Sequence, residues 1–391
     1  MAIPSPLSLL EQLIRCPSVT PAEGGALSLI ESLLKPAGFS VQRLTFSEPG
    51  TDNVENLYAR FGTGSPYLLF AGHTDVVPTG DLSLWKHDPF AAVIDDGNIY
   101  GRGATDMKGG VACMIVAALR FLEKNPGFSG SVGFLITGDE EGIAVNGTVK
   151  LLNWAHEQGE RFDYCILGEP TNPDRLGEMM KIGRRGSQSG RLTVHGKQGH
   201  VGYPELAHNP VPDMMKLIQA LLATPLDHGT EHFGPSNLEV TSVDTGNPAT
   251  NVIPAKVEAV FNIRFNDLWT GETLQQELDR RLKTAAGSVI SYTLDFMPSN
   301  ATAFLTEPDS FLDSLREVVQ SETGILPVLS TSGGTSDARF IKDYCPVIEF
   351  GGVGKTMHQI NESAPVADIE PLTAIYEKMA EAFFRCGNSQ A

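Results

Sequence analysis

The sequence predicts an α/β protein in which a largely parallel sheet, covered by helices, is interrupted by an α+β insert. Three observations carry this. Apolar runs that end in polar residues alternate with segments whose apolar positions recur at helical spacing. In mid-chain the texture changes to strict apolar and polar alternation, and near the C-terminus the first texture returns. At 391 residues the chain also exceeds one typical core, which favours two domains.

Taken in order, "SPYLLFAGHTDVVP" reads as a strand ending in polar residues, and "KGGVACMIVAALRFLEK" as the helix after it. "GSVGFLITGDEEG" is the next strand, "GTVKLLNWAHEQ" the next helix and "FDYCILGEPT" a further strand. Strands that alternate with helices imply a sheet covered on both faces, with ligands beyond the carboxyl ends of its strands. From about Ser187, "SGRLTVHGKQGH", "NLEVTSVDTGN" and "KVEAVFNIRF" alternate as half-buried antiparallel strands do, separated by helices at "PVPDMMKLIQALLAT" and "TGETLQQELDRRLKTAAG". After "DFMPSNATAF" the α/β texture resumes with "DSFLDSLREVVQSETG", "PVIEFGG" and a final helix from "IEPLTAIYEKMAEAFFRC". The expected division is residues 1–186, an insert over 187–298, and residues 299–391.

Composition narrows the function. With 29 Lys+Arg against 47 Asp+Glu the formal charge is −18, which argues against non-specific nucleic-acid binding, so an anionic ligand needs local basic residues. The N-terminus lacks a basic region followed by a long apolar core, and no apolar run reaches membrane-spanning length. Cys16, Cys113, Cys165, Cys345 and Cys386 are odd in number, scattered and in no CxxC pair, as reduced thiols in a cytoplasmic protein are.

Candidate ligands gather where the strands end. "AGHTDVVP" places His73 and Asp75 just past an apolar run. A lone histidine there is more often structural, but H-x-D allows a ligand and a carboxylate that orients it. "GRGATDMKGG" sets Asp106 between glycines and a helix start, with a spacing that fits neither GxGxxG nor the P-loop. "GDEEG" and "LGEPT" add Glu140, Glu141 and Glu169, and "GKTMHQINE" supplies His358. Singly each is more often structural. Together they form the ligand set for a pair of borderline divalent cations, with one carboxylate bridging. Glu140 and Glu141 are adjacent and cannot both point the same way along an extended segment, so one can ligate while the other is free to act as a general base.

The ordered motifs "GHTDVVP", "GRGATDMKGG", "TGDEEG", "GEPT" and "MHQINE" resemble those of the dinuclear zinc amidohydrolases, which include aminoacylases, acetylornithine deacetylase and carboxypeptidases. The resemblance spans nearly the whole chain. It implies a zinc-peptidase-like three-layer catalytic domain with an inserted α+β, ferredoxin-like domain through which two copies form a homodimer. It also implies two zinc ions per subunit, with cobalt an alternative in one site. Asp106 would bridge them, with His73 and Glu169 on one ion and Glu141 and His358 on the other. Asp75 would orient His73, Glu140 would be the general base, and His200 in "GKQGH" would reach the second copy's active site.

Further motifs, "GRRGS", "VHGKQGHVGYP", "NVIPA" and "GGTSDARF", resemble those of a deacylase in that family whose small-molecule substrate carries more carboxylates than ammonium groups. Arg184 and Arg264 are the candidates for bidentate carboxylate pairing. Ser187, Tyr203, Asn251, Gly334 and Thr335 match substrate-contacting positions. Where some members carry Asn four residues before the last metal histidine, this chain has Gly354. No nucleic-acid or membrane partner is expected. The alternatives are another N-acyl amino acid deacylase and, from a different class, a non-catalytic metal-binding scaffold.

Overall fold

The structure is a computed structural model and describes residues 3–387. The chain divides into two compact units. One comprises Met1–Ile182, Thr306–Ser330 and Ser336–Ala391, and the other Gly183–Leu305 with Thr331–Thr335.

The first unit opens with amphipathic helices α1 (Pro6–Ile14) and α2 (Ala26–Leu34). Strands β1 (Ser40–Phe46), β2 (Val54–Gly62) and β3 (Tyr67–His73) follow. Next come α3 (Lys108–Lys124), β4 (Ser131–Thr137), α4 (Thr148–Glu157), β5 (Tyr164–Leu167) and β6 (Met179–Lys181). The insert contributes β7 (Gly186–His195), α5 (Pro210–Leu222), β8 (Asn237–Asp244), β9 (Lys256–Phe265), α6 (Gly271–Ala286) and β10 (Tyr292–Phe296). The chain returns through α7 (Ser310–Thr323), β11 (Val328–Ser330), β12 (Val347–Glu349) and α8 (Val366–Gly387). Among the described residues no helix is long and apolar enough to cross a membrane.

The first unit is built on an eight-stranded sheet of order β1-β2-β4-β3-β5-β12-β6-β11. Its centre is parallel: β3 pairs with β4 and β5, and β5 with β12. All residues of β3, β4 and β5 are buried, as strands covered on both faces must be, which is why they read as unbroken apolar runs. The sheet is nevertheless mixed, because β1 pairs antiparallel with β2 and β2 with β4. The short link between β1 and β2 is too brief for a crossover, so an antiparallel return is the pairing open to them. Helix α3 is closed to solvent from Lys108 to Ala118 and packs on β3, α1 and α8. A Cβ on Gly110 would lie 2.3 Å from the Gly168 carbonyl oxygen, so a glycine here lets the helix start press on the loop after β5.

The parallel pairings bring strand ends to one edge. His73 stands opposite Thr137, and Leu167 opposite Glu349, so the loops after β3, β4, β5 and β12 leave the sheet side by side. That edge carries the candidate ligands.

The second unit is an antiparallel sheet of order β8-β9-β7-β10. In β9 every second residue, Val257, Ala259, Phe261, Ile263 and Phe265, is buried in a core with Leu217 and Leu221 of α5 and Leu274, Leu278 and Leu282 of α6. The alternation legible in the sequence is this single buried face. Each helix start is capped: Asn209 accepts from Val211 N, and Thr270 and Thr273 form a reciprocal capping box. The unit extends past the expected bounds of 187 and 298 because Phe304–Leu305 pairs with Gly183–Arg184. Thr331–Thr335 joins it as well: the Thr331 hydroxyl donates to the His232 carbonyl at 2.6 Å, and Arg184 Nη1 donates to the Gly334 carbonyl at 3.1 Å.

Candidate metal centre

At the strand-end edge of the first unit the structure brings together His73, Asp75, Asp106, Glu140, Glu141, Glu169 and His358. The Asp106 carboxylate lies between two imidazoles: Oδ1 is 3.3 Å from His73 Nε2, and Oδ2 is 3.2 Å from His358 Nε2. His358 Nε2 also lies 2.8 Å from Glu141 Oε1. Around His73 Nε2 stand Glu169 Oε1 at 3.9 Å and Glu140 Oε2 at 4.0 Å. Two groups, His73 with Asp106 and Glu141, and His73 with Glu140 and Glu169, hold their ligand atoms within 4.8 Å of one another.

The surroundings fix each group. His73 Nδ1 is 2.9 Å from the Asp75 carbonyl oxygen, which makes Nδ1 the protonated nitrogen and turns the lone pair of Nε2 into the cluster. Buried Nε2 finds no hydrogen-bond partner, since Asp106 at 3.3 Å is poorly aligned. The Asp75 carboxylate is 3.7 Å from Nδ1 and has other work. It accepts the Thr20 hydroxyl at 2.7 Å and the backbone N–H groups of Glu140 and Glu141 at 3.3 and 3.0 Å, so it seats the acidic loop. Asp139, the first of the three consecutive acids, turns away and accepts Val145 N and Asn146 N at 3.0 and 2.8 Å. The loop therefore closes on its own carboxylate and presents the other two.

The protonation equilibria describe a site short of positive charge. Burial pushes Glu140 up to about 8 and Glu169 well above the usual carboxylate range, the neighbouring acids adding to it. Burial also raises Asp75, to about 6. His358 rises to about 10 through Asp106 and Glu141. Burial alone would lower His73, but Asp106, Glu169 and Glu140 lift it well above its ordinary value. Burial likewise opposes ionisation of Asp106, yet the two imidazoles outweigh it and hold that carboxyl low. Packed carboxylates that must not stay bare take up protons or cations. An orphaned imidazole nitrogen and a nitrogen and oxygen donor set without thiolates fit a borderline divalent ion.

The remaining predicted residues lie in the second unit. Ser187 stands opposite Arg264 across β7 and β9, and its hydroxyl accepts from Asn262 Nδ2 at 3.1 Å. The His200 and Tyr203 rings are 5.6 Å apart, and Val201 N donates to the Asn251 carbonyl at 3.1 Å. Arg184 reaches Gly334, beside Thr335. Burial lowers the Arg264 guanidinium somewhat, with Arg185 adding to it. Sequence reasoning passed over Thr20 and Glu362 as site residues. Thr20 carried no local signal, whereas Glu362 closes the "MHQINE" motif.

A covered sheet with an imidazole and carboxylate cluster at its strand ends, broken by an α+β insert, defines a metallopeptidase-type hydrolase. The chain matches Peptidase family M20/M25/M40 over residues 69–382, and it belongs to that family. It is 66% identical over 382 residues to the succinyl-diaminopimelate desuccinylase of Methylobacterium nodulans, covering 97% of this chain and 96% of the relative. It is 59% identical to that of Rhodopseudomonas palustris, covering 98% and 99%. Among solved structures, aminopeptidase PepT from Bacillus cereus superposes with a TM-score of 0.76 at 19% identity, over 96% of this chain and 98% of that one. The YXEP protein of Bacillus subtilis, described as a dinuclear metal binding peptidase from the M20 family, gives 0.69 at 18% identity over 98% of each chain.

Proposed function

We propose that this protein removes succinate from N-succinyl-LL-2,6-diaminopimelate, giving LL-2,6-diaminopimelate for lysine and cell-wall precursor synthesis. The observation that carries the reading is the Asp106 carboxylate, which presents one oxygen to each of two histidines as a bridging ligand must. The extent of identity to the desuccinylases supports the choice of substrate. Asp106, His73 and Glu169 would hold one zinc ion, and Asp106, Glu141 and His358 the other. The bound pair supplies Lewis acidity and makes water a better nucleophile near neutral pH.

Glu140 accepts the proton of the attacking water and passes it to the nitrogen of the broken amide, so succinate leaves with the new carboxylate oxygen and diaminopimelate with the amine. Its burial and acidic neighbours favour proton uptake and the bound cations would oppose it, a balance that suits a base working near pH 7. Arg184 and Arg264 pair with substrate carboxylates. His200 of a second copy stabilises the oxyanion in a homodimer formed through the insert. Cys16, Cys113, Cys165 and Cys345 are free thiols, which suits a cytoplasmic enzyme.

The test is parallel turnover of N-succinyl-diaminopimelate and N-acetylornithine by the zinc-loaded protein. The first substrate should be preferred in kcat/KM. Faster turnover of the second would reassign the acyl pocket, and metal binding without turnover of either would favour a scaffold.

A further inference from the structure

Glu362 sits four residues past His358, fully closed to solvent. Its side chain is spent on the loop that carries Asp106. Oε1 accepts the backbone N–H groups of Thr105 and Asp106, each at 3.1 Å. Oε2 accepts Gly103 N at 3.0 Å and Arg102 Nη1 at 2.7 Å. The Glu362 carbonyl takes a further bond from Gly101 N at 2.9 Å. Arg102 then reaches back, Nη1 donating at 3.1 Å to the carbonyl of Gln359, the residue beside His358. Within the other loop, the Thr356 hydroxyl donates to the Ser363 carbonyl at 2.8 Å and accepts Ser363 N at 3.0 Å, which closes the turn that holds His358 at a positive φ of 60°.

Two loops distant in sequence are therefore tied by one carboxylate, which reaches the backbone of Asp106 itself and, through Arg102, the residue beside His358. Backbone donors alone could have been satisfied by water or by a neutral acceptor. A buried carboxylate paired with a buried guanidinium is directional and stiff, and it costs desolvation that only well-made bonds offset.

We propose that Glu362 is a positioning residue that holds Asp106 in register with His358 and so sets the affinity of the metal position those two share. The inference rests on the two-metal reading above. It concerns neither substrate nor proton transfer: losing the tie lets Asp106 and His358 drift apart, while His73 keeps its own bond to the Asp75 carbonyl, so the position that needs both Asp106 and His358 suffers more.

The test is a titration of metal-stripped protein with Co(II), followed by visible absorption and by elemental analysis. Wild type should bind two equivalents per chain. Glu362→Gln keeps the shape, places an amide nitrogen against backbone donors and leaves Arg102 without its anion. It should bind both Co(II) ions more weakly but unequally, the one that depends on His358 by about 10- to 100-fold and the one at His73 by clearly less, with the absorption band of the more weakened one displaced. Wild-type affinities and bands in the variant, even with a lowered melting temperature, would make Glu362 merely structural and overturn the proposal, as would an equal weakening of both equivalents. A wild type that binds fewer than two equivalents would instead remove the two-metal reading and the proposal with it. Should Glu362→Gln not fold, Glu362→Asp carries the same test, because the shortened carboxylate cannot reach Gly103 N and the Thr105 and Asp106 N–H groups together. It should show the same selective loss to a smaller extent, and unchanged binding would again overturn the proposal.

Discussion

Glu140 and Glu141 are neighbours in sequence with different surroundings. Glu141 meets His358 at 2.8 Å, whereas Glu140 points toward His73 from 4.0 Å without hydrogen bonding it. If Glu140 is the base, Glu140→Gln should lower kcat by about 10²- to 10⁴-fold while elemental analysis finds the metal content retained. Loss of metal together with activity would make Glu140 a ligand instead. Lys108 offers a separate test. Its ammonium is buried at the start of α3, donates to the Cys16 carbonyl at 2.8 Å, and is pushed down from 10.5 to about 8 by burial. Between those values the unfolded chain holds a proton that the folded chain has released, so the contribution of Lys108 to the stability of the metal-free protein should rise with pH through that window. The full effect is about 3 kcal/mol, from 1.36 kcal/mol per unit. Denaturant midpoints at pH 7.5 and 10 should show it as a difference, wild type gaining on Lys108→Met between the two pH values, because the opposing loss from groups held high, His358 among them, is common to both proteins.

At the scale of elements, the approach of α3 to the end of β5 is what seats Glu169 beside His73. With Gly168 O only 2.3 Å from where a Gly110 Cβ would stand, Gly110→Ala must shift either the helix or the loop. It should destabilise the fold by about 1–3 kcal/mol in denaturant melts and weaken metal binding together with it. An alanine variant with wild-type stability and affinity would show that the loop yields freely. Elements of this kind were the most legible from sequence. The helical spacing of "KGGVACMIVAALRFLEK" coincides with Lys108–Lys124, and the apolar runs ending at His73, Thr137 and Leu167 are strands because parallel central strands must be apolar throughout. Strands β1 and β2 were missed. β1 lies at the sheet edge with no residue fully buried, so its pattern is weak. The candidate ligands stood out because each ends a strong strand or closes a Gly-rich motif. The roles of Thr20 and Glu362 could not, because they consist of bonds to residues 55 and 256 or more positions away.

For the whole molecule, the proposed dimer has a direct consequence. Arg184, Ser187, His200, Tyr203, Asn251 and Arg264 all belong to the second unit, whereas all the candidate metal ligands belong to the first. If a second copy supplies His200, inactive His200→Ala and inactive Glu140→Gln chains should complement when co-expressed, because one site of each heterodimer then has both residues. Heterodimers without recovered activity would place His200 outside the neighbouring site.

The position of β12 in the sheet matters for how the chain is made. It lies between β5 and β6, yet it is synthesised more than 160 residues after either of them. A ribosome that has released the first 182 residues has produced a sheet with its middle unfilled, lacking His358 as well. The insert emerges next, with its whole core and all of its chain but Thr331–Thr335, and can fold while the earlier part waits. Until residue 349 appears, the β5 edge is an unpaired apolar strand, the kind of surface that invites chaperone capture or mispairing. Premature termination anywhere before that point would therefore yield an aggregation-prone fragment rather than a weakened enzyme.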